Sequence, residues 1–152
     1  MRHPSLILLS HDHHHGLALA LRCRKQALGQ IKPMGIEGLE ERAGEVKDFF
    51  SKNLERHFQA EEEILFPIIR SCASESHQIV EELIEEHRQI RNEVVRLEEK
   101  ANLSKILFNL GDFLERHIRR EERELFPLFE SRVGAADAER AKTEIEKLLG
   151  VR

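Results

Sequence analysis

The chain has 152 residues, 40% of them apolar and 34% charged. That supports one globular domain with a sizeable core and argues against wholesale disorder. With 24 Lys+Arg against 28 Asp+Glu the net charge is −4, which leaves no basic footprint for nucleic acid or anionic lipid. No apolar run approaches the ~20 residues of a membrane span, and Leu6-Ile7-Leu8-Leu9 is too short for a signal-peptide core. The expectation is a cytoplasmic, single-domain protein that binds neither membrane nor nucleic acid. Its two cysteines, Cys23 and Cys72, are expected to be reduced. Tyrosine and tryptophan are absent, so a radical stored on tyrosine is excluded, whereas there are nine histidines.

Helical periodicity runs between a few Pro and Gly clusters, and no segment alternates as a strand would. The spacing predicts a first helix from Ser5 or Ser10 to about Leu28, with His14, Leu17, Leu21 and Leu28 on one face. Pro33 and Gly35 mark a break. A second helix runs from about Leu39 to Pro67 or a little beyond, with Val46, Phe49, Phe50, Leu54, His57, Glu61, Ile64 and Leu65 inward. A third runs from about His77 to Lys100 on a stripe of Val80, Leu83, Ile84, His87, Ile90, Val94 and Leu97. A fourth runs from about Leu103 to Phe129 on Ile106, Leu110, Phe113, Leu114, His117, Glu121, Leu125 and Phe126. Ala135 to Leu149 forms a fifth, shorter helix. The fold class is therefore all-α: an up-down antiparallel four-helix bundle over about residues 5–130, with an additional short C-terminal helix.

The second and fourth helices repeat each other. Leu54 to Pro67 reads LERHFQAEEEILFP and Leu114 to Pro127 reads LERHIRREERELFP, with nine of fourteen positions identical at an offset of 60. Asp12-His13-His14 ahead of Leu17 and Leu21 loosely matches Glu86-His87 ahead of Ile90 and Val94. The chain thus reads as two copies of one hairpin about a pseudo-two-fold axis, each needing the other to cover its apolar stripe.

The repeat carries His-x-x-x-Glu twice, as His57/Glu61 and His117/Glu121. Residues four apart share a helix face and can converge on one point. Neutral imidazole and a carboxylate able to bridge two cations suit iron, manganese or zinc. His87 and one histidine of the first helix complete a ring of four His and two Glu. If each Glu bridges, each ion takes two nitrogens and two oxygens from the protein, and an open position remains for a small ligand. In the first helix His14 is preferred, because Leu21 lies seven residues on as Val94 does from His87. His13 is the competing choice, because Asp12-His13 aligns with Glu86-His87. Glu62 and Glu122 sit one position past the two glutamates, as outer partners or surface groups, and His3, His15 and His77 are expected to be exposed. Leu65-Phe66-Pro67 and Leu125-Phe126-Pro127 read as structural tails in which proline disrupts the helix ladder.

Asp12-His13-His14, His57-Phe58-x-x-Glu61-Glu62-x-x-Leu65-Phe66-Pro67, Glu86-His87-x-x-Ile90 and His117-Ile118-x-x-Glu121-Glu122-x-x-Leu125-Phe126-Pro127 together resemble the hemerythrin-like HHE cation-binding domain. The resemblance covers roughly Ser5 to Phe129. It implies a four-helix bundle around a non-haem centre of two iron ions, with His57, His87, His117 and one first-helix histidine as terminal ligands. Glu61 and Glu121 would be the bridging carboxylates. The oxygen-carrying members have a second histidine on the third helix, one turn from the first, and His-x4-Asp on the fourth. Here Leu83 and Arg91 flank His87, and the fourth helix has His-x3-Glu, so the fifth nitrogen is missing or comes from His11. A ferritin-like bundle would need Glu three residues before a histidine, whereas Leu54, Ile84 and Leu114 stand there.

The expected function is a di-metal protein that binds or reacts with oxygen, peroxide or nitric oxide, or handles iron. The alternative is a metal-stabilised interaction module without turnover, in which Ala135 to Leu149 docks a second copy of the chain or another protein.

Overall fold

In a computed structural model, residues 1–150 are described. They form α1 (Ile7–Ala27), α2 (35–72), α3 (His77–Arg96), α4 (103–132) and α5 (Ala135–Leu149), with no strand among the described residues. The expected bundle and its extra C-terminal helix are what the chain builds.

The up-down topology follows from where the apolar residues go. One core cluster holds Leu6 and Leu9 of the N-terminal segment and α1, Leu65, Phe66 and Ile69 of α2, Val80 and Leu83 of α3, and Leu125, Phe126 and Phe129 of α4. A second holds Leu19, Ala20 and Cys23 of α1, Val46, Leu54 and Phe58 of α2, Ile90 and Leu97 of α3, and Ile106, Leu110 and Leu114 of α4. Each helix therefore runs from one cluster to the other, alternating in direction. The histidine-bearing turns fall between the two clusters. α5 folds back over the first one, burying Ala138, Ala141, Ile145 and Leu149 there, and Ser5 Oγ donates to its Ala138 carbonyl at 2.8 Å.

α1 ends on Gly29 at φ 70°. Gly29 N–H reaches Gln26 O at 3.1 Å and Gln30 N–H reaches Lys25 O at 2.9 Å. This paired closure of the last carbonyls favours glycine at the left-handed position. The buried Gln26 side chain then donates to Pro33 O at 2.6 Å and accepts from Arg42 at 3.0 Å, pinning the connector to α2.

The face of α1 departs from expectation. Leu21 is 44% and Leu28 59% exposed, whereas Leu9, Asp12, His13, Gly16, Leu19, Ala20, Cys23 and Gln26 are buried. The cause is the close approach of α1 to α4. A Cβ added at Gly111 would lie 2.6 Å from the Ala20 carbonyl oxygen, so small residues face inward at this contact, and Leu21 and Leu28 lie outside.

Pro67 and Pro127 do not end their helices. In α2, Phe66 N–H donates five residues back, to Glu61 O; in α4, Phe126 N–H does the same to Glu121 O. These wide turns absorb the missing proline N–H and the bulk of its ring, and the helices continue to Cys72 and Arg132. A third wide turn, Phe50–Leu54, occurs in α2. No described helix is long and apolar enough to cross a membrane.

Candidate metal centre

Six side chains meet between the two apolar clusters: His13 from α1, His57 and Glu61 from α2, His87 from α3, and His117 and Glu121 from α4. All are buried, between 0% and 3% exposed. They form two overlapping donor groups, His13/His57/Glu61/Glu121 and His87/His117/Glu61/Glu121, each with its donor atoms within 4.8 Å of one another. Glu61 and Glu121 belong to both. The two-fold relation of the repeats thus becomes a two-fold relation of two donor groups that share both carboxylates.

His14 is corrected by this arrangement. It is exposed and belongs to neither group. His13 takes the α1 place, because the inward face of α1 is the one defined by Leu9, Gly16, Leu19 and Ala20 and not by Leu21 and Leu28. His11 is exposed as well, so it supplies no fifth nitrogen. His15 and His77 are exposed as expected, but His3 is half-buried, accepting from Ser5 N–H at 3.1 Å with its ring against Phe129.

Every inward histidine is held from behind by a carboxylate on its Nδ1. His13 Nδ1 lies 2.6 Å from Glu122, His87 Nδ1 2.6 Å from Glu62, His117 Nδ1 2.7 Å from Glu86 and His57 Nδ1 3.1 Å from Asp12. These contacts fix the tautomer with the proton on Nδ1, turn Nε2 inward as a bare donor, and raise its basicity. Three of the carboxylates are themselves gripped by arginine: Glu122 by Arg2 at 3.2 Å, Glu62 by Arg91 at 3.3 Å and Glu86 by Arg120 at 3.0 Å. The sequence reading placed Glu62 and Glu122 near the site but gave no role to Asp12 or Glu86. The repeat held the signal, since Asp12-His13 stands to Glu86-His87 as Glu61-Glu62 stands to Glu121-Glu122.

Aromatic rings seal the site. Phe58 stacks on His87 at 3.9 Å between centroids, Phe66 flanks His87 at 5.8 Å and Phe126 lies over His13 at 5.4 Å. The phenylalanines of the two Leu-Phe-Pro tails are therefore packed directly on ligand-type imidazoles, and the wide turns that place them begin at Glu61 and Glu121.

The donor atoms that face inward have no hydrogen-bond partner: Nε2 of all four histidines and both carboxylate oxygens of Glu61 and Glu121. They approach one another closely, as His13 Nε2 to Glu121 at 2.9 Å and His87 Nε2 to Glu61 at 3.0 Å show. These eight buried atoms have only one another as polar neighbours, and a bound cation would take up the lone pairs of the imidazoles and the carboxylates together. The electrostatics agree. Burial pulls the His57 imidazole down, but the Glu61 charge and the Asp12 contact override it and push its pKa up to about 10. His87 is raised well above its ordinary value, with burial opposed by contacts to Glu121, Glu61 and Glu62. Burial raises Glu121, but the His117 charge and the contacts around it hold its carboxyl well below the usual range. The cluster demands positive charge. The donor set fits a pair of divalent cations, each offered two imidazole nitrogens and two carboxylate oxygens.

A four-helix bundle enclosing buried His/Glu clusters compatible with metal binding is thus the class that this architecture defines. A comparison with known families matches residues 5–129 to the Hemerythrin HHE cation binding domain, and the chain belongs to that family. No curated protein and no solved structure matches it.

Proposed function

We propose that the chain is a non-haem di-iron protein that binds, or reacts with, a small ligand such as oxygen, peroxide or nitric oxide. The observation that carries this reading is the set of eight unpartnered inward donor atoms, divided evenly between two cation positions. His13 and His57 would hold one ion, His87 and His117 the other, with Glu61 and Glu121 bridging. Iron supplies a Lewis acid and reversible one-electron redox chemistry at such a site. The imidazole and carboxylate set suits iron, zinc and manganese alike, and the family resemblance is what favours iron among them.

The chain's own contribution is to orient and to exclude water. The four Nδ1-bound carboxylates fix the rings, Phe58, Phe66 and Phe126 dry them, and the paired glutamates hold the two positions together. Four protein donors per ion leave coordination positions for solvent and a small ligand. No further histidine closes them, because Leu83 and Arg91 flank His87 on α3 and His11 faces solvent. The interaction-module alternative finds no support in α5, whose apolar residues are buried in the chain's own core.

The test is to add oxygen, hydrogen peroxide or a nitric oxide donor to the iron-loaded, reduced protein and follow the visible spectrum. A charge-transfer band that forms in wild type and is lost in Glu61→Ala supports the proposal. An iron-loaded protein whose spectrum answers none of the three would overturn it.

A further inference from the structure

Of the run His11-Asp12-His13-His14-His15, the buried centre uses only Asp12 and His13. The rest faces outward, and two of its histidines are not independent. His11 and His15 stand four residues apart on the unbroken helix α1, both exposed. Their rings meet edge to face with centroids 4.8 Å apart, and their Nε2 atoms point at each other across 3.3 Å.

That distance carries a chemical meaning. Two imidazole nitrogens bound at ~2.0–2.1 Å to one tetrahedral ion are held about 3.3 Å apart. The helix thus already presents one edge of a coordination tetrahedron. A histidine pair four apart on a helix face is a chelating arrangement, because both rings rise from the same side one turn apart. His15 also lines a cleft with Arg22 of α1 and Glu45, Asp48 and Asn53 of α2. In it Glu45 is paired with Arg22 and Arg42, and Asp48 with Lys52, so the two imidazoles are the only protein donors that the pair offers and solvent would complete the coordination. Hard cations such as Mg2+ and Ca2+ prefer all-oxygen sites, whereas neutral imidazole selects borderline transition ions.

We propose that His11 and His15 form a second, surface site that takes a borderline divalent transition-metal cation such as Zn2+, Ni2+ or Cu2+, separate from the buried centre. It rests on none of the buried donors, so it stands whether or not the proposed di-iron function does.

The experiment is calorimetric titration of Ni2+ into untagged, iron-loaded protein. The result expected is one equivalent bound by wild type, lost in both His11→Ala and His15→Ala and kept in His14→Ala and His77→Ala. Circular dichroism melting confirms that these exposed-site variants fold. The proposal is overturned if wild type binds no Ni2+, or if His11→Ala and His15→Ala retain the equivalent, which would place the ion elsewhere. Because only surface residues are varied, the iron content of each variant, measured in parallel, reports on the buried centre independently.

Discussion

Glu62 shows what the outer carboxylates do. It accepts from His87 Nδ1 at 2.6 Å and is steadied by Arg91 at 3.3 Å, so it sets the aim of a nitrogen it does not itself replace. Glu62→Ala should leave the fold intact and weaken metal binding by about 10–100-fold, the usual cost of removing such a partner. Competition against a chelator of known affinity measures it, and unchanged affinity would show that the contact positions nothing. Cys23 gives a different test. Burial pushes its thiol up to about 12, against ~8.5 in an unfolded chain. Between those values the unfolded chain releases a proton that the native chain keeps, so stability falls as pH rises, by up to ~1.4 kcal/mol per pH unit. Urea midpoints near pH 8 and pH 10 should therefore drop further for wild type than for Cys23→Ala, and equal drops would contradict the burial argument.

At the scale of helices, two glycines separate close packing from simple helix propensity. Gly44 lies on the exposed side of α2 with open space where a Cβ would go, whereas a Cβ at Gly111 would meet the α1 backbone at 2.6 Å. Gly44→Ala should raise stability by about 0.5–1 kcal/mol. Gly111→Ala should lower it by about 1–3 kcal/mol by forcing α1 from α4. Denaturant unfolding of the two variants decides, and a neutral Gly111→Ala would remove the close approach as the reason for the small-residue face. That face also explains what was legible. The stripes of α3 and α4 are long apolar residues at helical spacing, and they read correctly. Beside Leu9 and Leu19, the stripe of α1 is the small or polar Gly16, Ala20, Cys23 and Gln26, which an apolar count ranks below Leu17, Leu21 and Leu28. The preference for His14 over His13 followed from those leucines. Aligning Asp12-His13 with Glu86-His87 pointed the other way, because the repeat records the site's symmetry whereas periodicity records only bulk. The wide turns were half visible: Pro67 and Pro127 signalled a broken ladder, but only three-dimensional packing tells whether a helix stops there or continues through a five-residue turn.

For the molecule as a whole, the bundle is two apolar plugs separated by a belt of charge. Each apolar cluster draws on all four helices, yet the belt between them unites six buried titratable side chains, cut off from water, whose inward atoms have only one another as polar neighbours. Cations joining all four helices would turn that weakness into a clasp, since binding only to the folded chain stabilises it. At a thousandfold excess over Kd the gain is ~4.1 kcal/mol, and a chain of this size shifts by about 2–4 °C per kcal/mol. Removal of metal by a chelator should then lower Tm by about 10 °C, with recovery when ferrous iron is restored. A Tm indifferent to the chelator, in protein shown to have lost its metal, would mean that the ions do not brace the bundle.

The most direct test is metal content per chain, by elemental mass spectrometry, on untagged protein produced with iron supplied and dialysed free of loosely bound ions. Two irons per chain are expected in wild type and in His14→Ala, with clear loss in His13→Ala, Glu61→Ala and Glu121→Ala. One ion per chain, or two ions retained when both Glu61 and Glu121 are replaced, would contradict a pair of cations sharing those carboxylates.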